Sequence, residues 1–146
     1  MKKLRVVLAD DHQAVIDRVR QTLGDGFDVV DAVEDGAQAV DAVRLLSPDI
    51  LVIDISMPVL DGLEAARRLR GLNCQTRIVF LTVHEDRDFV EAALAAGASG
   101  YVTKTRLIKD LVTAIQEAMR GNVFVSRWTA KAKHSAKATL PNNSGR

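Results

Sequence analysis

Five polar residues stand directly behind apolar runs in this chain, and their types suit one kind of chemistry. Asp10 and Asp11 follow Leu4–Ala9, Asp54 follows Ile50–Ile53, Thr82 follows Arg77–Leu81, and Lys104 lies just beyond Ser99–Val102. Three carboxylates brought within a few ångströms repel one another and persist only with a cation among them. No cysteine or histidine pair has ligand spacing, so the donors are oxygen. That points to a hard ion such as Mg²⁺, which takes one or two carboxylates, phosphate oxygens and water. Lys104 adds a fixed positive charge able to hold a phosphate oxygen. Asp54, central in the set, could attack phosphorus and carry the group as an acyl phosphate. Mg²⁺ and Lys104 would stabilise the charge in transfer.

Each residue also has a plainer reading. Asp10 or Asp11 alone would be a helix cap, Asp54 alone a turn residue, Thr82 the end of a strand and Lys104 a solvated charge. His12 is expected near the site without acting in it. His84 and His134 have no metal-ligand spacing. The argument rests on joint placement, which requires a fold that brings these positions to one rim.

The pattern supplies that fold. Apolar strands at Leu4–Ala9, Phe27–Val33, Ile50–Ile53, Arg77–Leu81 and Ser99–Val102 alternate with helical spacing over Val15–Leu23, Gly36–Leu46, Leu63–Leu69, Asp88–Ala96 and Leu107–Met119. Ile50–Ile53 reads as a strand buried on both faces, and Pro58 turns the chain soon after it. Asp28 and Asp31 place the second strand near a sheet edge. Asp61 and Glu64 have capping-box spacing, and Gly97 is a C-cap. Strict alternation predicts an α/β, doubly wound, five-stranded parallel sheet of order 2-1-3-4-5, flavodoxin-like, with its ligand crevice between strands 1 and 3.

At 146 residues, 47% of them hydrophobic, the chain can bury a real core as one domain. Cys74 is alone, which rules out a disulfide framework, suits a reducing cytoplasm, and fits a small, partly buried hydrophobe. Two lysines and a short apolar run broken by Asp10 and Asp11 make neither a signal peptide nor a membrane span. The net charge of +1 hides an asymmetry. From Arg120 onward the ionised residues are Arg120, Arg127, Lys131, Lys133, Lys137 and Arg146, all basic, so this end carries +6 and residues 1–119 carry −5.

Asp10-Asp11-His12, Asp54 with Met57-Pro58 and Asp61-Gly62, Thr82, and Gly100-Tyr101-Val102-Thr103-Lys104 together resemble the response-regulator receiver domain of two-component signalling, over Leu4 to Ser126. The stretch from Gly100 to Ser126 is most similar to the NarL/FixJ subfamily, whose receivers precede a LuxR-type helix-turn-helix. The resemblance implies that Asp54 is the phosphoacceptor of a sensor histidine kinase. Asp10, Asp11, Asp54 and the Ser56 backbone carbonyl would bind Mg²⁺, with Asp10 acting largely through water. Thr82 would hydrogen-bond the phosphoryl group, Lys104 would pair with it, and Tyr101 would change rotamer as Thr82 moves. Phosphorylation would bias a surface of the fourth helix, fifth strand and fifth helix, with a homodimer among the expected outcomes. Enzymatic turnover of other substrates is not expected.

Two departures stand out. Many receivers carry proline with a cis bond after the lysine, whereas Thr105 follows here and a cis bond would cost about 3 kcal/mol; that geometry is open from sequence. Ser56 and His84 fill the two variable positions that, in the family, influence acyl-phosphate lifetime. Residues 1–126 are expected to form the receiver. Residues 127–146, rich in Ala, Lys, Thr, Ser and Asn, read as a basic flexible linker or tail without a complete output domain. DNA would then be reached only through an output domain outside this chain, in control of transcription. The alternatives are a stand-alone receiver or phosphorelay intermediate, and a Mg²⁺-dependent phosphohydrolase of the haloacid dehalogenase type. The latter resembles Asp-x-Asp, where this chain has Ser56 as the second residue.

Overall fold

A computed structural model describes residues 2–126; the expected tail, 127–146, lies outside the described residues. The chain runs β1 (Leu4–Ala9), α1 (Gln13–Leu23), β2 (Phe27–Val33), α2 (Gly36–Leu46), β3 (Ile50–Ile53), α3 (Gly62–Gly71), β4 (Arg77–Thr82), α4 (Arg87–Ala95), β5 (Gly100–Thr103), α5 (Leu107–Met119) and β6 (Phe124–Val125). The sheet is parallel throughout, in the order β2-β1-β3-β4-β5-β6.

Period-two alternation splits the core between two faces. Val7, Ala9, Leu51, Ile53, Ile78, Phe80 and Tyr101 pack with α2, α3 and α4. Val6, Leu8, Ile50, Val52, Val79, Leu81 and Val102 pack with α1 and α5. Because α1 and α2 lie on opposite faces, the winding reverses between β1 and β3. That opens the crevice where Ala9 faces Ile53 at the ends of their strands.

The expected five strands gain a sixth. Gly121, at φ +87, turns the chain after α5, and Phe124 and Val125 then pair with Gly100 and Tyr101. Two residues are too few for a periodic signal, so this pairing depends on where α5 ends. The fifth strand sits one residue later than its apolar run suggests, and α4 one residue earlier. The capping box is half formed: Asp61 accepts from the Glu64 N–H at 2.8 Å, while the Glu64 carboxylate turns to Arg67 and Arg68 instead. Cys74 is half-buried, as expected.

Opposite the crevice, arginines hold helix C-terminal carbonyls that have no partner within their helix. Arg5 donates to Leu46 at 2.7 Å, Arg70 to Ala95 at 2.7 Å, and Arg77 to Ala118.

Candidate functional site

β1 and β3 deliver Asp10 and Asp54 one residue past their last paired positions. Asp10 is 5% exposed and Asp54 4%. The Asp54 N–H donates to Ala9 O at 3.0 Å, prolonging the ladder so that the two carboxylates leave neighbouring strands side by side. The start of α3 closes against this point. Gly62 N–H donates to Ile55 O at 2.7 Å, and a Cβ on Gly62 would lie 2.0 Å from Asp54 O. Only a glycine lets the helix come this near.

Lys104 crosses from the end of β5. Its Nζ donates to Asp54 Oδ2 at 3.1 Å and lies 2.9 Å from Asp10 Oδ2. Its side chain is only 14% exposed. Burial alone would push this ammonium down, but its hydrogen bonds to Asp10 and then Asp54 outweigh that and hold it above the ordinary lysine range.

Asp11 projects further into solvent, with its side chain 33% exposed. Neither acid is the N-cap of α1, which is His12; Asp10 instead accepts the His12 N–H at 2.9 Å in an Asx turn. The His12 ring, expected to stand aside, has Nδ1 3.0 Å from Asp10 and 3.1 Å from Asp11. Asp10, Asp11, His12 and Asp54 offer ligand atoms all within 4.8 Å of one another. Three carboxylates against one ammonium leave an excess that a divalent cation matches. The carboxylate oxygens suit Mg²⁺, so the donor set fits that ion.

The fourth and fifth strands end in a second cluster whose hub is His84, which the resemblance marks, with Ser56, as a variable position bearing on acyl-phosphate lifetime but not as a hub. Thr82 is fully buried, and its Oγ1 accepts the His84 N–H at 3.3 Å. Tyr101, also fully buried, donates its hydroxyl to His84 O at 2.7 Å. Its phenol is pushed well above the ordinary range, by burial first and then by Asp86, Asp54 and Glu85. Ser56 Oγ and His84 Nε2 share a hydrogen bond of 2.8 Å. The His84 ring stacks on Phe89 with centroids 4.0 Å apart. Asp10, Asp11, Asp54 and Lys104 therefore form one set, with Thr82, Ser56 and Tyr101 joined through His84 beside it. The Lys104–Thr105 bond, open from sequence, is trans.

Residues 6–116 match the response regulator receiver domain family. The chain is 34% identical over 125 residues to the response regulator GacA of Pseudomonas viridiflava, covering 84% of this chain and 58% of that protein. Against the transcriptional regulatory protein DegU of Brevibacillus brevis the identity is also 34% over 125 residues, covering 84% of this chain and 53% of that protein. The chain thus spans little more than half the length of these relatives. A solved two-component response regulator of the LuxR family from Aurantimonas sp. SI85-9A1 superposes with TM-score 0.85 at 33% identity, covering 94% of this chain and 99% of that one. The signal receiver domain of a NarL regulator from Mycobacterium tuberculosis gives 0.72 at 30% identity, covering 80% of this chain and 98% of that one. Among the described residues no helix is long and apolar enough to cross a membrane. Strand-end acids bridged by a lysine, the winding of the sheet and these likenesses agree: the chain belongs to the response regulator receiver domain family, within the NarL/FixJ subfamily.

Proposed function

We propose that Asp54 accepts a phosphoryl group from a sensor histidine kinase and that the resulting acyl phosphate switches a protein-binding surface. The observation that carries this reading is Lys104 Nζ within hydrogen-bonding distance of both Asp10 and Asp54 at the crevice. An Asp54 oxygen attacks phosphorus while the phosphorus–nitrogen bond of the donor phosphohistidine breaks, and the electron pair leaves on the imidazole. Asp10, Asp11, Asp54 and the Ser56 backbone carbonyl would hold Mg²⁺, which would supply positive charge to stabilise the transferring phosphoryl group. Lys104 passes from Asp54 Oδ2 to a phosphoryl oxygen, keeping its pairing as the charge moves. Thr82 donates its hydroxyl to the same group and carries the His84 backbone with it.

About −1.5 to −2 charges then stand in a crevice built around a carboxylate. Tyr101, bonded to His84, senses the movement and biases the surface of α4, β5 and α5. Residues 1–126 act as the receiver and 127–146 as a basic linker or tail. The output is control of transcription from the cytoplasm, through a DNA-binding domain outside this chain, with a homodimer as the phosphorylated form. Catalysis is confined to the gain and loss of the phosphoryl group on Asp54.

Incubation of the protein with Mg²⁺ and a small acyl phosphate donor tests this. The expected result is an alkali-labile mass gain of one phosphoryl group, absent in Asp54→Asn and present in Asp28→Asn. An unchanged wild-type mass overturns the reading.

A further inference from the structure

Lys104 is clamped from both sides by a buried polar cluster that no part of the phosphoryl chemistry uses. Asp110, in the first turn of α5, is 7% exposed and Ser126, the last described residue, is 3% exposed. The Ser126 hydroxyl donates to Asp110 Oδ2 at 2.7 Å. Arg106 takes the same carboxylate with two donors, Nε at 2.8 Å and Nη2 at 3.3 Å. On the other side of Lys104, the Thr103 N–H donates to Ser126 Oγ at 3.3 Å, and the Ser126 N–H donates to Tyr101 O at 2.8 Å.

The residues held are therefore the one before Lys104 and the second one after it, and both bonds run to Ser126 or to its carboxylate partner. The Arg106–Asp110 pair is charge-assisted, two-pronged and half-buried, and the Ser126 bonds beside it are buried, contacts of the kind that fix a backbone. Tyr101 joins the same end of the chain to His84 through its hydroxyl. Ser126 thus touches Tyr101 directly and Thr103, the residue before Lys104, so it bears on both groups through which the phosphoryl site is read.

We propose that Asp110 and Ser126 are positioning residues for Lys104, and that docking of Ser126 is energetically coupled to occupancy of the phosphoryl site. The coupling rests on the reading of Asp54 given above. It is reciprocal for binding: a phosphoryl group or its mimic that shifts Lys104 changes the hold on Ser126, and loosening Ser126 changes the affinity of the site for the mimic by the same free energy. The exit of the chain would then report the state of Asp54 to whatever follows residue 126.

The test uses the full chain with Mg²⁺, beryllium trifluoride as phosphoryl mimic and a small acyl phosphate as donor. Ser126→Ala removes one hydroxyl and Asp110→Asn keeps the shape of the side chain, so cooperative urea melts are expected for both. Arg120→Ala, which removes an exposed pair with Glu117 at the far end of α5, is the control. In the wild type, the mimic is expected to alter amide exchange at Thr103 and Ser126. Ser126→Ala and Asp110→Asn are expected to shift half-saturation by the mimic, or the phosphorylation rate, by about fivefold or more. Ser126→Thr should restore both, and Arg120→Ala should change neither.

A merely structural staple would lower the melting midpoint and leave half-saturation and rate as in the wild type; that result, or binding of the mimic with no change at Ser126, overturns the coupling. A wild type that neither binds the mimic nor gains mass overturns the Asp54 reading and the coupling with it.

Discussion

The Tyr101 hydroxyl donates to the His84 backbone carbonyl at 2.7 Å, tying a fully buried ring to the hub of the phosphoryl rim. Tyr101 is the only tyrosine in the chain, so its ionisation can be followed alone. Its folded pKa is raised, above about 10 for a free phenol. The stability tied to the proton is present below that value and is lost as pH rises through the folded one. Phenolate absorbance should therefore appear only at pH well above 10, together with unfolding. Tyr101→Phe should remove that alkaline loss and cost about 1 kcal/mol at neutral pH. A phenolate signal near pH 10 with the fold intact would contradict this.

Removing the ammonium that bridges Asp10 and Asp54 should expose their repulsion. Lys104→Met leaves two nearly buried carboxylates without their cation and should cost about 3 kcal/mol in urea melts at pH 7. Added Mg²⁺ should recover more stability in this variant than in the wild type, because binding to the folded state stabilises by mass action. Equal Mg²⁺ effects on the two proteins would argue against a shared metal site.

Gly62 and Gly26 make opposite predictions for the same change. A Cβ at Gly62 would sit 2.0 Å from Asp54 O, and backbone cannot yield as a flexible side chain does. Gly62→Ala should cost about 3 kcal/mol and slow phosphoryl gain, because the Asp54 backbone must move. A Cβ at Gly26 would meet no atom within 4 Å apart from its chain neighbours, so Gly26→Ala should stay within about 1 kcal/mol of wild type. Thermal melts of the two variants, with phosphorylation followed by intact mass, check both.

Val59 stores strain beside the site. At φ +70, with Leu60 N–H donating to Pro58 O at 2.7 Å, it forms the centre of a tight three-residue turn of a kind rare for a β-branched residue. The side chain is 81% exposed, so little packing would be lost on removing it. Val59→Gly should raise stability by about 1 kcal/mol, the left-handed penalty less the entropy of an extra glycine. A lower melting temperature than wild type would show that the turn is not strained.

Much of this molecule is legible in residue order alone, because the signals are local. Solid apolar runs at Ile50–Ile53 and Arg77–Leu81, helical spacing in Leu107–Met119, and acids placed at the ends of strands follow from backbone period and burial, which need no partner to be recognised. Parallel strands with right-handed crossovers leave few ways to wind, so the meeting of Asp10, Asp54 and Lys104 was implied by sequence order. The rest belongs to tertiary structure. His84 becomes a hub only because β4 and β5 deliver Thr82 and Tyr101 beside a loop that carries Ser56, 28 residues earlier. Phe124 and Val125 become a strand only because β5 offers an open edge where α5 ends. The bond from Ser126 to Asp110 spans 16 residues, and nothing in either neighbourhood announces it. Such contacts pair single polar groups across the chain, and desolvation selects them only after the apolar layers have brought those groups together.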